Sequence, residues 1–69
     1  MSIAEPKHPD VFVELSQMDK NVFMIIGTVQ RHLREAGYAK DAVKFASEVT
    51  RADGYYQMLA VCASYVNIA

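Results

Sequence analysis

The residues best equipped for chemistry fall within one stretch: Phe23, Gly27, Gln30, Arg31 and Arg34. At 100° of turn per residue they share one side of an α-helix. The set puts an aromatic ring, a position with no side chain, an amide and two guanidinium groups on a single surface. A ring of that kind stacks on a planar base, and guanidinium forks match the oxygens of phosphate, so the pattern suits a nucleotide-like anion. A protein contact suits it better, since an aromatic ring and a glycine on a helix face more often mark a helix crossing or a subunit contact. Glycine inside a helix costs about 1 kcal/mol relative to alanine, and a close backbone approach to Gly27 is one reason to accept that cost. Met24, beside Phe23, leaves the first turn apolar on nearly every side, which is the condition of a helix end packed against another subunit. Tyr55 and Tyr56 are adjacent and amphipathic, so one ring is expected to pack inward while the other faces water or a partner. Ligand or partner binding is therefore expected at Phe23, Gly27, Gln30, Arg31 and Arg34. An oligomer interface is expected at Phe23, Met24, Tyr55 and Tyr56.

Other chemistry has weaker support. A catalytic histidine needs a nucleophile within reach and usually an orienting carboxylate. His32 has no serine or cysteine at a telling distance along the chain, and Cys62 falls on an apolar helical face where it acts as a small hydrophobe. Asp10, Glu14, Asp19, Asp41, Glu48 and Asp53 are scattered without metal-loop spacing. No catalytic residue, metal or cofactor is expected, and the chain reads as a non-enzyme.

The elements that must position these side chains follow from hydrophobic spacing. Val22, Ile25, Ile26, Val29, Leu33 and Ala36 recur at three- and four-residue intervals and form a core-facing stripe, about 120° away from the Phe23–Arg34 surface. Asp19 or Asn21 marks the start of this helix and Gly37 its end. A second amphipathic helix is expected from about Ala39 to Ala52, with Ala42, Phe45, Ala46 and Val49 inward. Its start is poorly marked, since Tyr38 and Ala39 are not capping residues. Lys44 and Glu48 are spaced to pair across one turn. In the last segment Tyr55, Leu59, Cys62 and Val66 share a helical face with Met58 beside it, so a third helix is expected to about Tyr65. The remaining Val66 to Ala69 suits a short strand. Upstream, Val11 to Leu15 alternates as a strand does, with Val11, Val13 and Leu15 on one face and Phe12 and Glu14 on the other. It is the obvious partner for a C-terminal strand. Ser16 to Lys20 is a polar turn, and Met1 to Asp10, with Pro6 and Pro9, is a flexible, extended N-terminal arm. The expected fold is a single small α+β domain, residues 11–69, in the order β-α-α-α-β.

Size adds a further constraint. A chain of 69 residues holds one core, and below about 70–80 residues such a core seldom supplies more than roughly 3–5 kcal/mol. Small domains gain the rest from disulfides, metals or association. With Cys62 as the one cysteine and two histidines, the first two routes are closed and a homo-oligomer is expected. The formal net charge of −1 gives no general affinity for nucleic acid. No stretch has the length or apolar character of a membrane span or a secretory signal, so a cytoplasmic protein is expected.

The run D-x-N-x-F-x-I-x-G-x-V-x-x-x-L-R-x-A-G, from Asp19 to Gly37, resembles the central motif of a family of short bacterial and phage proteins of unknown function. The preceding V-x-V-x-L strand, the following amphipathic helix and the aromatic-containing last helix extend the likeness from Val11 to roughly Ile68. The chain differs from that pattern at Val22, where alanine is usual, and at Ala39, where a capping serine is usual. The resemblance brings no activity and no site residue. It implies a setting, phages and mobile elements, in which compact proteins often bind and block a host component. The functional expectation is thus a non-enzymatic interaction protein that binds a host protein. The alternative is an oligomeric sequestering protein, an anti-defence sponge, that encloses a nucleotide-like anion.

Overall fold

The computed structural model describes residues 5–14 and 21–68. Five elements follow one another: β1 (His8–Val13), α1 (Val22–Glu35), α2 (Ala39–Val49), α3 (Tyr55–Tyr65) and β2 (Val66–Ile68). The fold is α+β in the expected order.

Local chemistry accounts for the ends of α1. Asn21 has extended backbone angles, and its side-chain oxygen accepts from the N–H groups of Phe23 and Met24 at 3.0 and 3.3 Å, satisfying donors that the first turn cannot. Asp19, the other candidate cap, lies outside the described residues, as do Leu15 and the expected turn from Ser16 to Lys20. At the far end Gly37 takes φ +95°, a conformation a side chain would strain. Tyr38 N–H then donates to the Leu33 carbonyl at 2.8 Å and Gly37 N–H to that of Arg34 at 3.0 Å, the paired bonds of a Schellman stop. Asn21→Ala removes both cap bonds, and it is expected to lower unfolding stability by about 0.5–2 kcal/mol in a urea titration.

Helix α2 starts at Ala39 without a side-chain cap. It ends at Val49, three residues before the expected limit, because the chain tightens there. Arg51 N–H reaches the Glu48 carbonyl and Ala52 N–H that of Val49, both at 3.1 Å, and bonds of this shorter span make a turn of 3₁₀ type. Glu48 accepts from the Tyr65 hydroxyl at 2.8 Å, so its role is a link to α3 in place of the expected pair with Lys44.

The two strands pair in parallel, with His8 opposite Val66, Phe12 opposite Asn67 and Val13 opposite Ile68. The pairing is irregular between His8 and Phe12. The strand begins at His8, three residues earlier than its alternation suggests, so His8–Asp10 belongs to it. Pro9 has no N–H for a ladder, which a two-stranded sheet tolerates because both strands are edges. Lys7 N–H donates to the Ser64 carbonyl at 3.0 Å and Asn67 Nδ2 to the Pro9 carbonyl at 2.6 Å, and these hold the stretch where the ladder is broken.

Between sheet and helices lies one apolar core. Val11 and Val13 of β1, Ile25, Val29 and Leu33 of α1, Ala42, Phe45 and Val49 of α2, and Met58, Cys62 and Tyr65 of α3 are buried with Val66. The α1 stripe packs as its spacing requires, with Val22 and Ile26 half-buried at its margin, but Ala36 is exposed. On α3 the buried face runs Met58, Cys62, Tyr65. Tyr55 and Leu59, expected inward, lie at its edge. That helix is apolar nearly all round, so its period sets its orientation only loosely. Its rotation brings the Tyr65 ring edge-on to Phe45 at 5.5 Å. The Cα radius of gyration, 11.1 Å, equals the roughly 11 Å expected for a folded chain of this length.

Candidate functional site

An unbroken α1 gathers Phe23, Gly27, Gln30, Arg31 and Arg34 on the side away from the core. Phe23, Gly27, Arg31 and Arg34 are exposed and Gln30 is half-buried. Phe23 has 85% of its surface in water and Met24, beside it, 55%. Among the described residues, a Cβ on Gly27 would meet no atom within 4 Å beyond its own helix backbone, so none of them requires glycine there. Arg31 and Arg34 carry no carboxylate partner among the described residues. Elsewhere on the surface Tyr56 is 84% exposed while Tyr55 packs against the core's margin, the rings meeting edge-on at 5.6 Å. Tyr55 is thus half-buried at the core's edge and Tyr56 faces water.

The remaining candidates stay apart from this surface. His32 Nδ1–H donates to the Thr28 carbonyl at 2.8 Å, which ties the ring to its own helix. Cys62 is fully buried, and burial pushes its thiol up to about 11, away from the nucleophilic thiolate. Among the described residues no three His, Cys, Asp or Glu side chains are grouped to hold a metal, and no helix is long and apolar enough to cross a membrane.

Comparison with known protein families, curated proteins and solved structures gave no significant match. The reading of the site therefore rests on its own geometry.

A second constellation has no counterpart in the sequence spacing. Where β1 begins beside the start of α2, His8 Nε2 lies 2.5 Å from Asp41 Oδ2, and the His8 ring stacks on Tyr38 with centroids 3.8 Å apart and planes 19° from parallel. The Tyr38 hydroxyl donates to Asp10 Oδ2 at 3.0 Å. Lys7 Nζ lies 5.0 Å above the Tyr65 ring, a cation–π approach. Thirty-three residues separate His8 from Asp41, so only the fold brings them together. The hydrogen bond from His8 holds the Asp41 carboxyl below its ordinary value, with the charges of Lys7, His8 and Lys44 acting the same way against desolvation. The bond to Asp10 and its charge raise the Tyr38 phenol.

Tyr65 gives the protein a marked alkaline dependence. Desolvation first, and then the bond to Glu48, push its phenol from 10.0 up to about 12. Folding thus favours the protonated form, so this contribution is whole below pH 10 and lost as pH rises from there to about 12. Cys62 acts in the same sense between 9.0 and about 11. Stability followed against pH is expected to fall from pH 9 upward, and Tyr65→Phe should flatten the fall between pH 10 and 12. An unchanged slope in that variant would assign the alkaline loss to other groups.

Proposed function

We propose that this chain is a non-catalytic interaction protein that self-associates through the exposed face of α1. The observation that carries the reading is the placement of Phe23 and Met24, side by side and mostly in water on a helix whose opposite face fills the core. Leaving a large apolar side chain in water forgoes about 1.5–3 kcal/mol available on burial. Two of the three phenylalanines, Phe12 and Phe23, are exposed in this way together with Tyr56. Scattered single residues of that kind are ordinary, but an adjacent pair next to an open glycine makes a contact surface. Gly27, with none of the described residues above it, permits the backbone of a second helix to approach closely. The resemblance of Asp19 to Gly37 to phage and bacterial proteins supplies the setting. In it the assembled protein engages a host protein, as a phage or mobile-element product.

Arg31 and Arg34 favour a second reading, in which assembled subunits enclose a nucleotide-like anion between Phe23, Gln30 and these two guanidinium groups. The two readings separate in a thermal-shift screen of mono-, di- and cyclic nucleotides. Ligand that binds only the folded state raises the melting temperature by mass action. A saturable rise that disappears in Arg31→Ala/Arg34→Ala supports sequestration. No rise with any nucleotide, together with association that depends on Phe23, supports the interaction protein.

A further inference from the structure

The junction of β1 and α2 has the construction of an occupied binding site whose occupant is part of the chain. His8 is seated there as a ligand would be. Its ring lies flat on the Tyr38 face at 3.8 Å and its Nε2 meets the Asp41 carboxylate at 2.5 Å, while its side chain keeps only 14% of its surface in water. Asp10 fixes the Tyr38 hydroxyl from the strand side, so the stacking surface is held in place by a group other than its occupant. Next to this cradle an open hollow of about 440 Å³ is lined by Gly37, Tyr38, Ala39, Lys40 and Asp41. Two of those five residues, Tyr38 and Asp41, are the ones that hold His8.

The segment carrying His8 is attached in a way that allows it to leave. Pro6 and Pro9 flank it and donate no backbone hydrogen bond, the ladder is irregular between His8 and Phe12, and the buried anchors of the strand, Val11 and Val13, come after it. Lys7 N–H, Lys7 Nζ, the Pro9 carbonyl and the pairing of His8 with Val66 make the remaining contacts. Release of Lys7–Pro9 gives up these and the His8 contacts, while Asp10 keeps its bond to Tyr38 and Val11 and Val13 stay buried.

We propose that Tyr38 and Asp41 form a recognition site for a planar cation, imidazolium or guanidinium, whose place the His8 ring takes in cis and which an arginine or histidine side chain of another chain fills once Lys7–Pro9 swings away about Asp10. A flat ring and a carboxylate set at its edge are the two features such a cation requires: the face attracts its charge and the carboxylate takes its N–H. Of the cationic groups acting on Asp41 besides His8, Lys7 leaves with the segment and Lys44 stays. This site is separate from α1 and stands or falls independently of self-association through Phe23.

His8→Gly empties the cradle and makes the test direct. Imidazole, and separately methylguanidinium below denaturing concentrations, are titrated into His8→Gly and into His8→Gly/Asp41→Asn while the melting temperature is followed. The expected result is a saturable rise that recovers at least half of the loss caused by His8→Gly, with none in the double variant. Equal responses in both proteins, or no response in either, would overturn the proposal. Should His8→Gly fail to fold, the unaltered chain gives the answer by NMR. The His8 ring protons, shielded by the Tyr38 face, should move towards free-histidine positions as methylguanidinium is added while core methyl resonances stay fixed. Ring protons that do not move before the core does would equally overturn it.

Discussion

Phe45→Ala is expected to yield a chain without a cooperative native state. Phe45 has no surface in water and meets the Tyr65 ring edge-on at 5.5 Å, at the point where α2 packs on α3. Truncating a buried phenylalanine costs about 3–5 kcal/mol, from lost transfer free energy and from the cavity left behind. A domain of this length seldom has more than roughly 3–5 kcal/mol in total, so one substitution removes nearly all of it. The checks are a loss of dispersed methyl signals in NMR and a melting curve with no transition. Phe45→Leu, which keeps most of the volume, should remain folded with a lowered melting temperature. A sharp, cooperative transition in Phe45→Ala would show a reserve of stability that the premise of a small core does not contain.

Phe23→Asp is expected to have the opposite character, an intact fold and a lost assembly. The ring is 85% exposed, so its removal leaves the core alone, and an aspartate in the first turn of a helix is favourable to the helix dipole. An aromatic anchor at the centre of an interface is worth about 2 kcal/mol or more, or roughly a 30-fold weaker association. Gly27→Ala refines the test because its two effects diverge. Among the described residues of the protomer a Cβ at Gly27 meets nothing beyond its own helix backbone, and the helix gains up to about 1 kcal/mol. In a close helix pair the same methyl group intrudes. A variant with a higher melting temperature when dilute and weaker association when concentrated is the expected signature. Higher stability with unchanged association would remove Gly27 from the interface.

Much of the fold was legible because periodicity and caps agreed. Ile25, Val29 and Leu33 are buried at the spacing that defines their stripe, and Asn21 and Gly37 bound α1 with the chemistry those residue types suggest. Helix α2, which has no side-chain cap at its start, was legible from periodicity alone, through Ala42, Phe45 and Val49. What was not legible shares one cause, dependence on tertiary contact. The first residues of β1 are polar and include a proline, so nothing local marks them as strand; they are held by Asp41, Ser64 and Asn67 from distant parts of the chain. Tyr65 reads as a boundary residue, yet it is a core residue because Glu48 receives its hydroxyl. A buried tyrosine needs such a partner, and no spacing announces it.

The candidate surface divides the same way. Helical geometry alone puts Phe23, Gly27, Gln30, Arg31 and Arg34 on one side of α1, and that side is turned to solvent. The His8, Tyr38 and Asp41 cluster required the fold, since it joins a strand to a helix across 33 residues of chain. Tyr38 and Asp41 stand close together in the sequence, but that spacing carries no meaning until His8 is laid across it.

Self-association through α1 is the claim on which the function depends, and sedimentation velocity of the unaltered chain over a wide concentration range tests it most directly. The account predicts a species whose mass is a multiple of 7.7 kDa at micromolar concentrations, dissociating on dilution and in Phe23→Asp. A folded particle of single-chain mass at every concentration would contradict it.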